Sequence, residues 1–237
     1  MALIFNIKGP IAMFRKSYTT TSSVSFPFPP PTAVAGLLGA IAGYGSGAEI
    51  DACRADFWRR MKGTRIGLAI LEKGIVSSHT INFSNTKDPK KNPRIQVKHQ
   101  FVFSPKYRVY VSGEIEKDLN DHLKNGTFIF TPYLGVAYAL AEIEFIGNCE
   151  EKDHDTEYPI PVDSVIPWSH GVSVDILKSG GVFKERMPFE MDEVRGLKQA
   201  LDVLYAPSPD RRLVLLDKGN THVTRCAEDV VAWFPEW

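Results

Sequence analysis

The chain has 237 residues, 43% of them hydrophobic, and its 28 basic side chains balance 28 acidic ones. That length and composition suit one large domain or two small ones with a sizeable core. The zero net charge excludes a basic footprint spread over the whole chain, so any surface for nucleic acid must be local.

The opening segment "ALIFNIKG" alternates, with Leu3, Phe5 and Ile7 on one face and Asn6 and Lys8 on the other. This is strand periodicity, closed by Gly9-Pro10. A Ser/Thr/Pro-rich stretch, "AMFRKSYTTTSSVSFPFPPP", reads as an ordered surface loop. Thr32 then stands where a hydroxyl can cap a helix running to about Tyr44, stopped by "GYGSG". The charge-free run Thr32 to Gly43 is about half of the ~20 residues needed to cross a bilayer. It lacks the basic lead of a secretory signal and the Lys of a phosphate loop. A short buried helix remains.

"DACRADFWRRM" predicts an amphipathic helix, and "RIGLAIL" and "IVSSHTINF" predict strands joined by a tight Glu72-Lys73-Gly74 turn. "IQVKHQFVF" alternates, with Ile95, Val97, His99, Phe101 and Phe103 on one side. "YRVYVSG" reads as a strand, "EIEKDLNDHLKNG" as a helix ending at Gly126, and "TFIFT" as a strand. "PYLGVAYALAEIEFIG" fits helix and strand equally. After the acidic "EEKDHDTEYPIP", a candidate linker, the chain turns β-rich: "VSVDIL", "RLVLLD" and "VVAWF" predict strands. "DEVRGLKQALDVLY" predicts a helix, with Val194, Leu197, Leu201 and Leu204 on one face. The expected fold is α+β: a ferredoxin-like, RRM-like unit over residues 1–150, then a smaller β-rich unit over 158–237.

The cysteines Cys53, Cys149 and Cys226 are odd in number and far apart, with no C-x-x-C. That argues against a disulfide framework or a zinc knuckle, and each reads as a buried small hydrophobe in a reducing, cytoplasmic protein. The histidines show no ligand spacing, and no metal or cofactor is implied.

The charges are not evenly spread. Residues 1–48 contain no Asp or Glu, and Lys8, Arg15 and Lys16 are their only ionised side chains. Between Thr86 and Arg108 lie Lys87, Lys90, Lys91, Arg94, Lys98, Lys106 and Arg108, against a lone Asp88. Glu142 to Glu157 is the reverse, with seven acids and Lys152. The basic stretch, interleaved with Gln96, Gln100, Tyr107 and Tyr110, suits a phosphodiester backbone with unpaired bases. The plainer reading is a hairpin edge kept charged against sheet-to-sheet pairing. "FRKSYTTTS" has the same two readings: a ring of hydroxyls and cations before a helix N-terminus, suited to phosphate, or a hydrophilic loop. The acidic segment would suit a basic protein partner.

The stretch "KGPIAMFRKSYTTTSSVSFPFPPPTAVAGLLGAIAG" resembles the N-terminal signature of the family-five CRISPR-associated subunit of type I Cascade complexes. "SPKYRVYV" and "TPYLGVAYALAEIE" resemble later blocks of that family, so the match spans roughly residues 1–147. The Leu-Leu-Gly-Ala-Ile form is most similar to the type I-B branch. The resemblance implies a RAMP-type subunit in antiviral defence, without a membrane role. Such a subunit binds the 5′ handle of the CRISPR RNA, caps the backbone subunit, lies near the large subunit and meets target DNA indirectly. It implies a long hairpin thumb, at about residues 77–103. On this sequence the implied RNA-binding set is Phe14, Arg15, Lys16, Tyr18, Pro31, Thr32, Arg94, Lys98, Gln100, Tyr107 and Arg108. The RNA-recognition-motif consensus is absent, "HQFVFSPKY" being a faint echo, so stacking of bases on the sheet face is not supported.

A sister branch is a metal-independent endoribonuclease. That chemistry needs a base, an acid and a cation, which Tyr44, Lys98 and His99 could supply by type. Adjacent residues on a strand point to opposite faces, so Lys98 and His99 would converge only at a bulge. The expectation is therefore no catalytic residue, with an endoribonuclease as the alternative.

Overall fold

The computed structural model of the protein describes residues 1–20, 22–45, 54–55, 57–154 and 157–237. The chain opens with β1 (Ala2–Lys8), then the short strands β2 (Ile11–Ala12), β3 (Phe14–Arg15) and β4 (Ser25–Phe26). Helix α1 (Pro31–Ala42) and the single turn α2 (Phe57–Arg60) come next. They are followed by β5 (Arg65–Glu72), β6 (Ile75–Ser84), β7 (Arg94–Phe103), β8 (Lys106–Ser112), α3 (Glu116–Asn125) and β9 (Glu142–Cys149). Beyond β9 the described elements are all strands: β10 (Glu151–Asp153), β11 (Ile160–Val162), β12 (Ile166–Trp168), β13 (Val172–Val174) and β14 (Phe183–Met191). The last four are β15 (Leu197–Tyr205), β16 (Leu213–Lys218), β17 (Val223–Cys226) and β18 (Asp229–Ala232). The protein is thus mostly β with few helices, an α+β fold.

The central sheet has the order β5–β8–β1–β9 with every pair antiparallel. β1 and β5 therefore run parallel with β8 between them. Leu3, Phe5 and Ile7 share a core with Val34, Leu38 and Ile41 of α1 and Leu119 and Leu123 of α3. The alternation read in the sequence is real, but the other face is not open to water. Ala2 and Ile4 join Tyr110, Cys149, Cys226, Val231 and Trp233 in a second apolar cluster. β1 is consequently buried on both sides except at Lys8. The C-terminal strands supply that cover, which no local pattern announces. Cys149 and Cys226 are buried, as expected of small hydrophobes, and Cys53 lies outside the described residues.

Helix α1 begins one residue before the predicted start, and Thr32 is not its cap. Pro30 is the N-cap residue with no side-chain hydrogen bond, and Pro31 is the first helical residue. Proline suits that position because its missing N–H would be unpaired anyway. The other end closes on Gly43, whose φ of 77° and N–H bond to the Gly39 carbonyl form a left-handed cap. "TFIFT" is not a strand. It bends against the end of α1, where Ile129 N–H and Phe130 N–H donate to the carbonyls of Ile41 and Ala40. Those carbonyls lack helical partners, and the segment satisfies them.

Two more expectations change. The Glu72-Lys73-Gly74 turn does not make a hairpin. β5 stays in the central sheet, and β6 leaves it to pair with β7 in a separate sheet of order β2–β7–β6. "DEVRGLKQALDVLY" is not a helix. Residues 192–196 form a turn in which Asp192 Oδ1 accepts from the N–H groups of Val194 (3.0 Å) and Gly196 (2.6 Å). The rest is β15, held between β12 and β14. An Asp whose side chain closes a turn on its own backbone is turn chemistry hidden inside a helical period. The predicted helix over residues 51–61 is described only at its end, as α2, and residues 51–53 and 56 lie outside the described residues.

Candidate nucleic-acid interface

The hairpin β6–β7 pairs in unbroken register from Ile75↔Phe103 to Ser84↔Arg94. Its two faces differ in chemistry. Ile75, Ser77, His79, Ile81 and Phe83 lie opposite Phe103, Phe101, His99, Val97 and Ile95 on one face. Rings follow one another along it: Phe83 to His99 at 5.4 Å, His99 to Phe101 at 6.0 Å and His79 to Phe103 at 5.2 Å. The other face carries Thr80, Asn82, Arg94, Gln96, Lys98 and Gln100. Between the strands, Asn85 N–H donates to the Pro93 carbonyl, and Lys87, Lys90 and Lys91 sit exposed at the tip. None of Lys87, Lys90, Lys91, Arg94 and Lys98 has an ion-pair partner among the described residues.

The basic loop predicted from "FRKSYTTTS" docks on this hairpin. β3 and β4 pair through Phe14↔Phe26 and Arg15↔Ser25, which closes the loop at its neck. Its returning limb joins β7: Ser23 N–H donates to the Lys98 carbonyl (3.0 Å) and Gln100 N–H to the Ser23 carbonyl (2.8 Å). Gln100 Oε1 accepts from Ser25 N–H at 3.1 Å. Arg15 is exposed, and its guanidinium donates to the Thr19 (2.6 Å) and Thr20 (3.3 Å) carbonyls, which orients it without neutralising it. Tyr18, in the same loop, is 72% exposed.

The structure therefore bonds the loop that carries Arg15 and Tyr18 to the middle of β7, where Lys98 and Gln100 lie. Arg94 lies four residues further out, roughly 13 Å along the strand. The other predicted residues are engaged elsewhere. Lys16 donates to Glu185 Oε2 at 2.7 Å and lies over the Phe26 ring. Phe14 and Tyr107 are buried against each other, and the Tyr107 hydroxyl donates to the Pro27 carbonyl. Arg108 is tied to Asn6 Oδ1 (3.0 Å) and Asp229 Oδ2 (2.8 Å) on the face of the central sheet that the C-terminal strands cover. Pro31 is buried, and Ala33 and Val34 N–H both donate to the Pro30 carbonyl. Among the described residues the first turn of α1 thus keeps only the N–H of the half-buried Thr32 without a backbone partner, a poor cradle for phosphate compared with a free helix start.

The three residues of the alternative chemistry do not converge. Lys98 and His99 point to opposite faces of an unbulged strand. His99 Nδ1 is buried without a hydrogen-bond partner. Burial, and then the charge of Arg15, hold its pKa below the usual imidazole value. Tyr44 donates to Asp118 Oδ2, and burial plus that carboxylate push its pKa up to about 12. A phenol so placed stays protonated near neutral pH and is not available as a base. Among the described residues no three metal-ligating side chains gather, and no helix is long and apolar enough to cross a membrane.

Sequence reasoning missed the charge-free segment Thr127 to Ala141, which leaves Ile129, Phe130, Tyr133, Tyr138 and Leu140 each about half exposed. Its lack of any ionised residue was the available signal. Tyr138 reaches the hairpin, with its ring 6.4 Å from Phe101.

Known proteins share this architecture. A crystal structure of a CRISPR protein from Archaeoglobus fulgidus matches with a TM-score of 0.55 at 19% identity, covering 98% of each chain. A chain of a CRISPR RNA-guided surveillance complex matches with a TM-score of 0.51 at 14% identity, over 96% of this chain and 92% of that one. A chain of the Type III-B Cmr-beta complex bound to cognate target RNA and AMPPnP matches with a TM-score of 0.51 at 14% identity, over 90% and 86%. At such identities the likeness is one of fold. No curated protein matches the chain in sequence. The family model "CRISPR-associated protein (Cas_Cas5)" matches residues 2–192, most of the chain, and the protein belongs to that family of CRISPR-associated proteins.

Proposed function

We propose that the protein is a non-catalytic subunit of a type I CRISPR effector complex that binds the 5′ handle of the CRISPR RNA and caps the backbone filament. Membership in the family supports a role in a CRISPR effector. The observation that carries the finer reading is the docking of the Arg15 loop on the hairpin. It ties a loop bearing an exposed, un-neutralised guanidinium and an exposed tyrosine to the strand that carries Lys98 and Arg94. Such an arrangement fits a hooked single strand, with phosphates on cations and bases splayed onto rings. The RNA-contacting set is Arg15, Tyr18, Arg94, Lys98 and Gln100.

The β6–β7 hairpin is the thumb of this reading, and the order β5–β8–β1–β9 with α1 and α3 on one face is its ferredoxin-like part. A separate apolar cluster drawn wholly from residues 160–232 supports the β-rich C-terminal unit. The type I-B assignment rests on Leu37 to Ile41 alone. An endoribonuclease reading gains nothing from the opposed Lys98 and His99.

The test is binding of labelled handle RNA in the presence of the backbone subunit. Arg15→Ala is expected to weaken binding and to make its salt dependence shallower by about one unit of log–log slope. No preference for the handle over scrambled RNA would overturn the binding role. Site-specific cleavage of repeat RNA in EDTA, lost in His99→Ala, would overturn the non-catalytic one.

A further inference from the structure

Cys149 ends β9, the outer strand of the central sheet, and Cys226 ends β17, the middle strand of the sheet β10–β17–β18. The two sheets meet in one apolar cluster that holds both cysteines with Ile4, Tyr110, Val231 and Trp233. Glu151, two residues beyond Cys149, is the register partner of Cys226. The strand ends are thus brought together, and the two thiols share a hydrogen bond.

That bond has a direction. An indole N–H can only donate, and Trp233 Nε1 donates to Thr224 Oγ1 at 2.7 Å. The Thr224 hydroxyl keeps its own proton for the Cys226 sulfur, 3.8 Å away. The Cys226 S–H donates in turn to the Cys149 sulfur, which ends the chain as acceptor. The bond from Cys226 holds the Cys149 thiol below its usual pKa, against burial and the Glu151 charge. The same bond, and then burial, push the Cys226 thiol up. Exposure follows the same order, 8% for Cys149 and 0% for Cys226.

We propose that Cys149 and Cys226 form a peroxide-sensitive dithiol whose disulfide fastens the C-terminal strands to the central sheet. The thiolate is the nucleophile, so the more acidic and more accessible Cys149 reacts first. Its sulfur attacks one oxygen of hydrogen peroxide and the O–O bond breaks, giving a sulfenic acid and water. The Cys226 sulfur then displaces the sulfenic hydroxyl, which leaves with the Cys226 proton as a second water. The two sulfurs together lose two electrons and the peroxide gains them. Sulfurs that share a hydrogen bond need close by only about 2 Å, which side-chain rotation can supply.

The test treats the reduced full-length chain with hydrogen peroxide and then counts free thiols with a maleimide after denaturation. Of the three cysteines, one is expected to stay reactive, with Cys149 joined to Cys226 in the peptide map. The urea midpoint of the oxidised chain is expected to rise and to fall back with dithiothreitol, since a crosslink restricts the unfolded chain. Cys226→Ser is expected to stop at a Cys149 sulfenic acid that dimedone labels. Cys149→Ser is expected to leave Cys226 unlabelled at the same dose. Unchanged circular dichroism would show that both variants fold, and the wild-type thiol count decides the matter without them. Three reactive thiols at every dose, or a linkage through Cys53 or between chains, overturns the proposal. So does a linked chain whose midpoint does not rise, or equal dimedone labelling of Cys226 in Cys149→Ser.

Discussion

The molecule contains two long antiparallel hairpins of nearly equal length, β6–β7 and β14–β15, that end in opposite roles. The first keeps its register throughout and is buried only near its root. The second breaks register at Pro188/Glu190 and Glu190/Met191 and is drawn onto α1 and the C-terminus. Phe189 there stacks on Phe234 and Trp237 at 6.4 and 5.8 Å. Bulges bend and twist a ribbon, which lets one face wrap onto a core. The charges follow the same division. In β14–β15, Lys184 and Arg186 share Asp202, Lys198 pairs with Glu190 and Glu185 takes Lys16. In β6–β7 the cations have no acidic partner among the described residues. A hairpin that satisfies its own charges builds structure, and one that leaves them unmet keeps them exposed for the ligand proposed above.

The sharpest way to break this comparison is to delete one aromatic ring from each hairpin. Phe189→Ala is expected to cost about 3–5 kcal/mol, since the ring is fully enclosed. Phe83→Ala is expected to stay within about 0.5 kcal/mol. Urea unfolding followed by tryptophan fluorescence measures both, and equal losses would end the distinction. The charges offer the reverse contrast. Replacing Arg94 and Lys98 together by Ala should remove about 1.4 units from the salt slope of RNA binding, at about 0.7 per phosphate contact on a single strand. Lys184→Ala/Arg186→Ala should leave that slope unchanged in the same titration.

A smaller effect is expected where the two regions meet. Lys16→Ala strands the Glu185 carboxylate, whose side chain is only 20% exposed, and should cost about 1–3 kcal/mol. Adding Glu185→Gln should recover part of the loss in a double-mutant cycle. No recovery would mean the pair does not couple the loop to β14.

The least effect belongs to protons. His99 and His222 are both held below the imidazole value of 6.5, by burial first and then by Arg15 and Arg65 respectively. The unfolded chain therefore takes up protons before the folded one. Stability from this source is complete above pH 6.5 and declines as pH falls from there toward the folded values. Denaturant midpoints measured from pH 7.5 to about 5 should fall, and His99→Gln should flatten part of that fall. A midpoint that rises on acidification would contradict both placements.

Local pattern and charge order were legible in the residues. β1, α1 with its glycine stop, α3 ending at Gly126 and the alternation of Ile95 to Phe103 each follow from the few residues that form them. The separation of uncharged β6 from basic β7 is likewise written in the chain. Two opposite faces for Lys98 and His99 followed from strand geometry alone. What distant partners decide was not legible. Asp229 pairs with Arg108 from 121 positions away and meets its charge within the fold. Glu185 does the same to Lys16 from 169 positions away. Leu197 to Tyr205 carries a helical spacing of apolar residues, yet β12 and β14 on either side make it a strand. Helical and extended forms of a short segment differ by little in intrinsic free energy, so tertiary pairing and burial choose between them. Sequence determined which segments were apolar, capped or charged, and only the packed structure decided which of the charges remained unmet.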